Sequence, residues 1–75
     1  MCGIAGIADT AGLDRGDAEA RLRRALDRLA PRGPDGEGIW HDPHCHLGHR
    51  RLAIVDLSPA GAQPMVRDTL ALVFN

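Results

Sequence analysis

The sequence has 75 residues, one domain at most, and its 3% aromatic content leaves little bulk for a self-sufficient core. A formal net charge of −1 and a pI near 6.4 leave no electrostatic footprint for nucleic acid or an anionic membrane. Two cysteines, Cys2 and Cys45, do not make a disulfide framework. No basic-then-apolar leader and no span-length apolar stretch is present, so a cytoplasmic, reducing location is the expectation.

In chain order, residues 2–8 read as a short apolar strand interrupted by Gly3 and Gly6. Glycines weaken a strand interior unless another group must approach the backbone closely. Residues 9–16 are turn-like. Residues 17–29 read as a helix, with Ala18, Leu22, Ala25, Leu26 and Leu29 recurring on one face and Pro31 stopping it. Asp17 and Glu19 suit the positive end of its dipole, and Arg21, Arg23, Arg24 and Arg28 read as a solvated outer face. Gly33-Pro34-Asp35-Gly36 is a turn whose proline presets the first corner. Residues 38–41 and 46–56 read as strands, 58–64 as a loop, and 69–75 as a last strand of alternating character. The elements add up to an α+β chain. It stops at Asn75 directly behind an apolar run, and we expect an N-terminal fragment of a longer protein.

Two groups of residues carry reactive chemistry. Cys2 follows the initiator, and cysteine is small enough for an aminopeptidase to remove Met1. Cys2 would then hold a thiol and an α-amine, whose reference pKa of ~8 lets it accept a proton near neutrality. Nucleophile and general base would sit in one residue. On position alone, a small buried residue opening a strand is the competing reading. The second group is His41, His44, Cys45, His46 and His49, residue types that bind zinc. Strand neighbours point to opposite faces, however, so His44, Cys45 and His46 cannot converge on one ion without a loop. We expect a solvent-facing polar edge there and no metal site.

Met1-Cys2-Gly3-Ile4-Ala5-Gly6-Ile7, Arg32-Gly33-Pro34-Asp35-Gly36 and Gly48-His49-Arg50-Arg51-Leu52-Ala53-Ile54-Val55-Asp56 together resemble the start of a class II glutamine amidotransferase domain. Ala60-Gly61-Ala62-Gln63-Pro64-Met65 and Val73-Phe74-Asn75 extend the resemblance, which favours the branch of glutamine-hydrolysing asparagine synthetases. It covers residues 1–75 and is weakest over 9–29.

The resemblance implies the N-terminal part of a four-layer αββα N-terminal-nucleophile fold. It also implies specific roles. Cys2 would attack the side-chain amide of L-glutamine and form a thioester. Arg51 would grip the glutamine α-carboxylate, a task a guanidinium fork performs bidentately. Leu52, Ala53, Ile54 and Val55 would line the pocket with backbone, and Asn75 would donate to the developing oxyanion. Arg50 departs from an acidic residue common at that position, and no role is assigned to it. The resemblance places no cofactor in this segment. ATP and Mg²⁺, with aspartate as ammonia acceptor, would belong to a synthetase domain beyond Asn75, and neither nucleic acid nor membrane is an expected partner. The rival readings are a class II amidotransferase with another acceptor and a non-catalytic remnant.

Overall fold

Asp14 decides where the helix begins. In the computed structural model, which describes residues 2–53 and 61–74, α1 (Arg15–Leu29) starts two residues before the apolar periodicity predicts. The Asp14 carboxylate accepts a hydrogen bond from the Asp17 N–H at 3.0 Å and so satisfies a donor the first turn leaves free. Ala18, Leu22 and Leu26 form the buried stripe, Ala25 and Leu29 are half-buried, and the four outer arginines are exposed.

Three strands make the main sheet: β1 (Gly3–Ala8), β2 (Gly36–His41) and β3 (Cys45–Arg51), in the order β1-β3-β2, antiparallel throughout. Asp42 shapes the β2–β3 hairpin, its Oδ1 accepting from the His44 and Cys45 N–H groups at 2.8 and 2.7 Å. Helix α1 lies on one face of this sheet, over β1 and β3. Gly48, in the central strand, is the seat of that packing. A Cβ there would stand 2.9 Å from Leu26 Cδ1 and 3.2 Å from Leu22 Cδ1. Gly3 is similarly roofed by Leu29 at 3.1 Å, so in β1 the close approach comes from a helix side chain.

The opposite face receives the segment 61–64. A Cβ on Gly38 would collide with the Gln63 carbonyl, so that glycine lets the segment lie against the sheet. Beyond it, β4 (Met65–Arg67) and β5 (Leu70–Leu72) form a separate two-stranded hairpin. Its turn puts Asp68 at φ 54°, a left-handed conformation that aspartate tolerates.

This is the α+β class expected, and it is compatible with the opening part of an αββα arrangement. Several boundaries differ from the sequence reading. β2 begins at Gly36, because Gly36 and Glu37 pair with Arg51 and Arg50 where the sequence suggests only a turn. The strand expected over 46–56 ends at Arg51. Asp35 explains that stop. Its N–H donates to the Arg51 carbonyl at 2.9 Å and its Oδ2 accepts from the Ala53 N–H at 2.8 Å, so the loop takes groups a longer ladder would need. Ile54, Val55 and Asp56 lie outside the described residues. β4 has no counterpart in the sequence pattern, and β5 occupies only part of the strand expected over 69–75. Among the described residues, no helix is long and apolar enough to cross a membrane.

Candidate functional site

The β1–β3 register brings residues from the two ends of the described site together. Gly3 pairs with Arg50, and Cys2, the residue before β1, lies beside Leu52, the residue after β3. The half-buried Cys2 Sγ accepts the Leu52 N–H at 3.3 Å and lies 3.8 Å from the Leu52 carbonyl. Two residues 50 apart in sequence thus meet at a sulfur.

The paired arginines diverge because consecutive strand residues face opposite sides. Arg50 turns toward the helix side. Its Nε donates to the Gly33 carbonyl at 3.0 Å and its terminal nitrogen pairs with Glu37 at 2.8 Å, and Glu37 also pairs with Arg23 of α1 at 3.1 Å. Arg51 turns the other way and lines a cavity of about 260 Å³ with Asp35, Gly36, His49 and Gln63. Its guanidinium passes over Gly61, where a Cβ would come within 2.5 Å of a terminal nitrogen. Cys2 is not among the residues lining that cavity and meets the site through Leu52.

His49 is buried on the same face as Arg51. Its Nε2 lies 3.2 Å from the Phe74 carbonyl, which fits the tautomer with a proton on Nε2 donating to that oxygen. Burial pushes its pKa below the ordinary histidine value, the Phe74 bond partly opposes this, and the Arg51 charge reinforces it. The Phe74 N–H donates to Gln63 Oε1 at 2.8 Å, so Phe74 is held on both sides. Asn75, the proposed oxyanion donor, lies outside the described residues, as do Ile54 and Val55. Leu52 and Ala53 are described, and both follow Arg51 as irregular backbone.

The histidines scatter, and the solvent-facing edge expected of them does not form: His46 and His49 are buried, packed within the sheet layers, while His41 and His44 are exposed. His49 faces the cavity, and His44 is exposed, its Nδ1 3.2 Å from the Asp9 carbonyl. His46 is buried beside His41, with ring centroids 5.2 Å apart, and its two nitrogens have no partner among the described residues. No three of the described His, Cys, Asp and Glu residues are placed to hold a metal ion.

Sequence reasoning missed Asp35, Gln63 and the role of His49. In the sequence alone Asp35 is a turn residue and Gln63 part of a motif with no task. His49 was grouped with the other histidines. Their partners lie 18, 11 and 25 residues away, beyond any local signal.

Residues 1–75 match the family model described as glutamine amidotransferase domain. Among curated proteins, the chain is 45% identical over 85% of its length to an amidase, chry2, of Gibberella zeae. It is 37% identical over its full length to asparagine synthetase [glutamine-hydrolyzing] 3 of Bacillus subtilis. It is 41% identical over 91% of its length to the asparagine synthetase [glutamine-hydrolyzing] of Triphysaria versicolor. The chain spans only 11%, 12% and 11% of those proteins respectively. No solved structure matches it. The family match runs from the first residue to the last, and the chain belongs to the glutamine amidotransferase domain family.

Proposed function

We propose that the chain is the opening segment of a glutamine-hydrolysing asparagine synthetase and that, after removal of Met1, Cys2 is its nucleophile. The observation that carries this reading is the Cys2 sulfur on the Leu52 amide, one residue from Arg51, in a chain similar to proteins bearing that name. The α-amine of Cys2 takes the thiol proton as sulfur attacks the side-chain carbonyl carbon of glutamine. The tetrahedral oxyanion collapses, the proton passes to the departing nitrogen, and ammonia leaves a γ-glutamyl thioester. Water then cleaves the thioester, releasing glutamate and restoring the thiol. Arg51 holds the substrate carboxylate, the 52–55 backbone lines the pocket, and Asn75 donates to the oxyanion.

Ammonia then goes to aspartate in an ATP- and Mg²⁺-dependent domain within the portion of the relatives that this chain does not span. A cytoplasmic setting accords with a free thiol as nucleophile. The similarity to a protein named an amidase favours one second reading, a glutaminase or amidase of the same family with another acceptor.

A glutamine-analogue electrophile tests the reading. In the full-length protein it should label Cys2, found at the mature N-terminus, and spare Cys45. Label on Cys45 alone, or Met1 retained in active enzyme, would contradict it.

A further inference from the structure

We propose that Asp35 is the positioning residue of the nucleophile: its backbone N–H and its carboxylate clasp the two peptide groups of Leu52, and the carboxylate tether on Ala53 keeps Leu52 seated against the Cys2 sulfur. The inference rests on the reading of Cys2 as nucleophile and deepens it. The Arg51 carbonyl and the Leu52 N–H belong to one peptide group. Asp35 N–H holds that group by its oxygen at 2.9 Å, and the same group presents its N–H to Cys2 Sγ at 3.3 Å. A peptide group is planar and trans, with N–H and C=O pointing in opposite directions, so fixing the oxygen fixes the line of the N–H. A carbonyl that accepts a hydrogen bond also polarises its own N–H and strengthens what that N–H donates.

The next peptide group runs from the Leu52 carbonyl to the Ala53 N–H. Asp35 Oδ2 holds it at the nitrogen, at 2.8 Å, while its oxygen lies 3.8 Å from the sulfur. Both backbone groups that touch the thiol are therefore tethered to one residue of the loop ahead of β2. Arg50 ties the same loop to β3 through the Gly33 carbonyl at 3.0 Å, so Asp35 stands on a braced support. A directed N–H matters to an attacking sulfur because it fixes where the sulfur stands relative to the carbonyl carbon it must reach.

The test compares Asp35→Ala, which removes the carboxylate tether on the Ala53 N–H and leaves the backbone bond to the Arg51 carbonyl, with Asp35→Asn, which keeps an acceptor oxygen without the charge, in the full-length protein. Two readouts are taken: kcat and KM for glutamine hydrolysis, and the rate at which iodoacetamide alkylates Cys2, mapped by mass. Asp35→Ala should lower kcat and the alkylation rate roughly ten-fold, the size of one lost hydrogen bond, with KM little changed. Asp35→Asn should restore most of both. Wild-type rates in Asp35→Ala, or equal damage in Asp35→Asn, would overturn the inference. Amide exchange in the unaltered protein needs no variant to fold: Leu52 and Ala53 should be protected, and free exchange at Ala53 would also overturn it. Cys2→Ala run beside these separates the two ideas. If it still hydrolyses glutamine, the nucleophile reading falls, while Cys2 alkylation in the Asp35 variants still reports whether Asp35 governs the thiol.

Discussion

At the scale of single residues, neighbouring arginines have different fates because β3 alternates. Arg50 is spent on Gly33 and Glu37, whereas Arg51 reaches the cavity. Arg51→Ala should therefore collapse glutamine hydrolysis in the full-length protein, at a cost of roughly 2–5 kcal/mol for a desolvated charge contact. Arg50→Ala should lower hydrolysis far less than Arg51→Ala, through the loosened Asp35 loop alone, and cost about 1 kcal/mol of stability, since its ion pair is partly exposed. Steady-state kinetics and denaturant titration of the two variants decide this, and the reverse pattern would put the substrate contact one position earlier. His49 carries a pH effect of definite sign. Its folded-state pKa lies below the ordinary 6.5, so the unfolded chain binds the proton more readily. Stability should be lost as pH falls below 6.5 toward the lowered value. Arg51 on its own strand deepens the depression, while Asp35 and Glu37 share the cavity with it. His49→Gln, which keeps a donor for the Phe74 carbonyl, should flatten the fall of melting temperature between neutral and mildly acid pH. Parallel curves for the two proteins would contradict this.

At the scale of elements, the helix and sheet are matched as knob and hollow. Leu26 on α1 fills the space that Gly48 leaves in β3. Leu26→Ala should cost ~2–5 kcal/mol, and Gly48→Ala roughly 1–3 kcal/mol through overpacking. The double variant should lose less than the sum, because the new methyl enters the space the leucine vacates. Strict additivity in chemical denaturation would mean the two side chains do not share one space. The two reaches of the chain that carry the site are joined by loops rather than by the helix. The Asp35 loop clasps the end of β3, and Gln63 and His49 clasp Phe74.

On the scale of the whole molecule, the buried apolar core among the described residues is Ala18, Leu22 and Leu26, all from one helix. Ile4, Val66, Leu70, Leu72 and Phe74 remain exposed, Leu70 at 72%. So small a core, with so much apolar surface in water, leaves little margin against chain entropy. Residues 1–75 expressed alone should show weak amide-exchange protection and no glutamate release comparable to the full-length protein. A cooperative, well-protected core with full turnover would show the opposite.

The sequence by itself determined what local chemistry can encode. Helical spacing from Ala18 to Leu29 marked the buried face of α1, and strand alternation separates Cys45 from the buried His46, while His44 lies in the hairpin bend. Motif order pointed to the family, which the match over residues 1–75 bears out. Boundaries were less legible where a side chain makes the decision. Asp14 moved the helix start, and Asp35 ended β3 at Arg51, by offering polar atoms to backbone groups that propensity assigns elsewhere. Only the tertiary structure decided what Cys2 touches. Antiparallel pairing of β1 with β3 sets its sulfur on the Leu52 amide, and a loop from a third part of the chain orients that amide. Such contacts join residues far apart in sequence, and no local pattern fixes them before the chain folds.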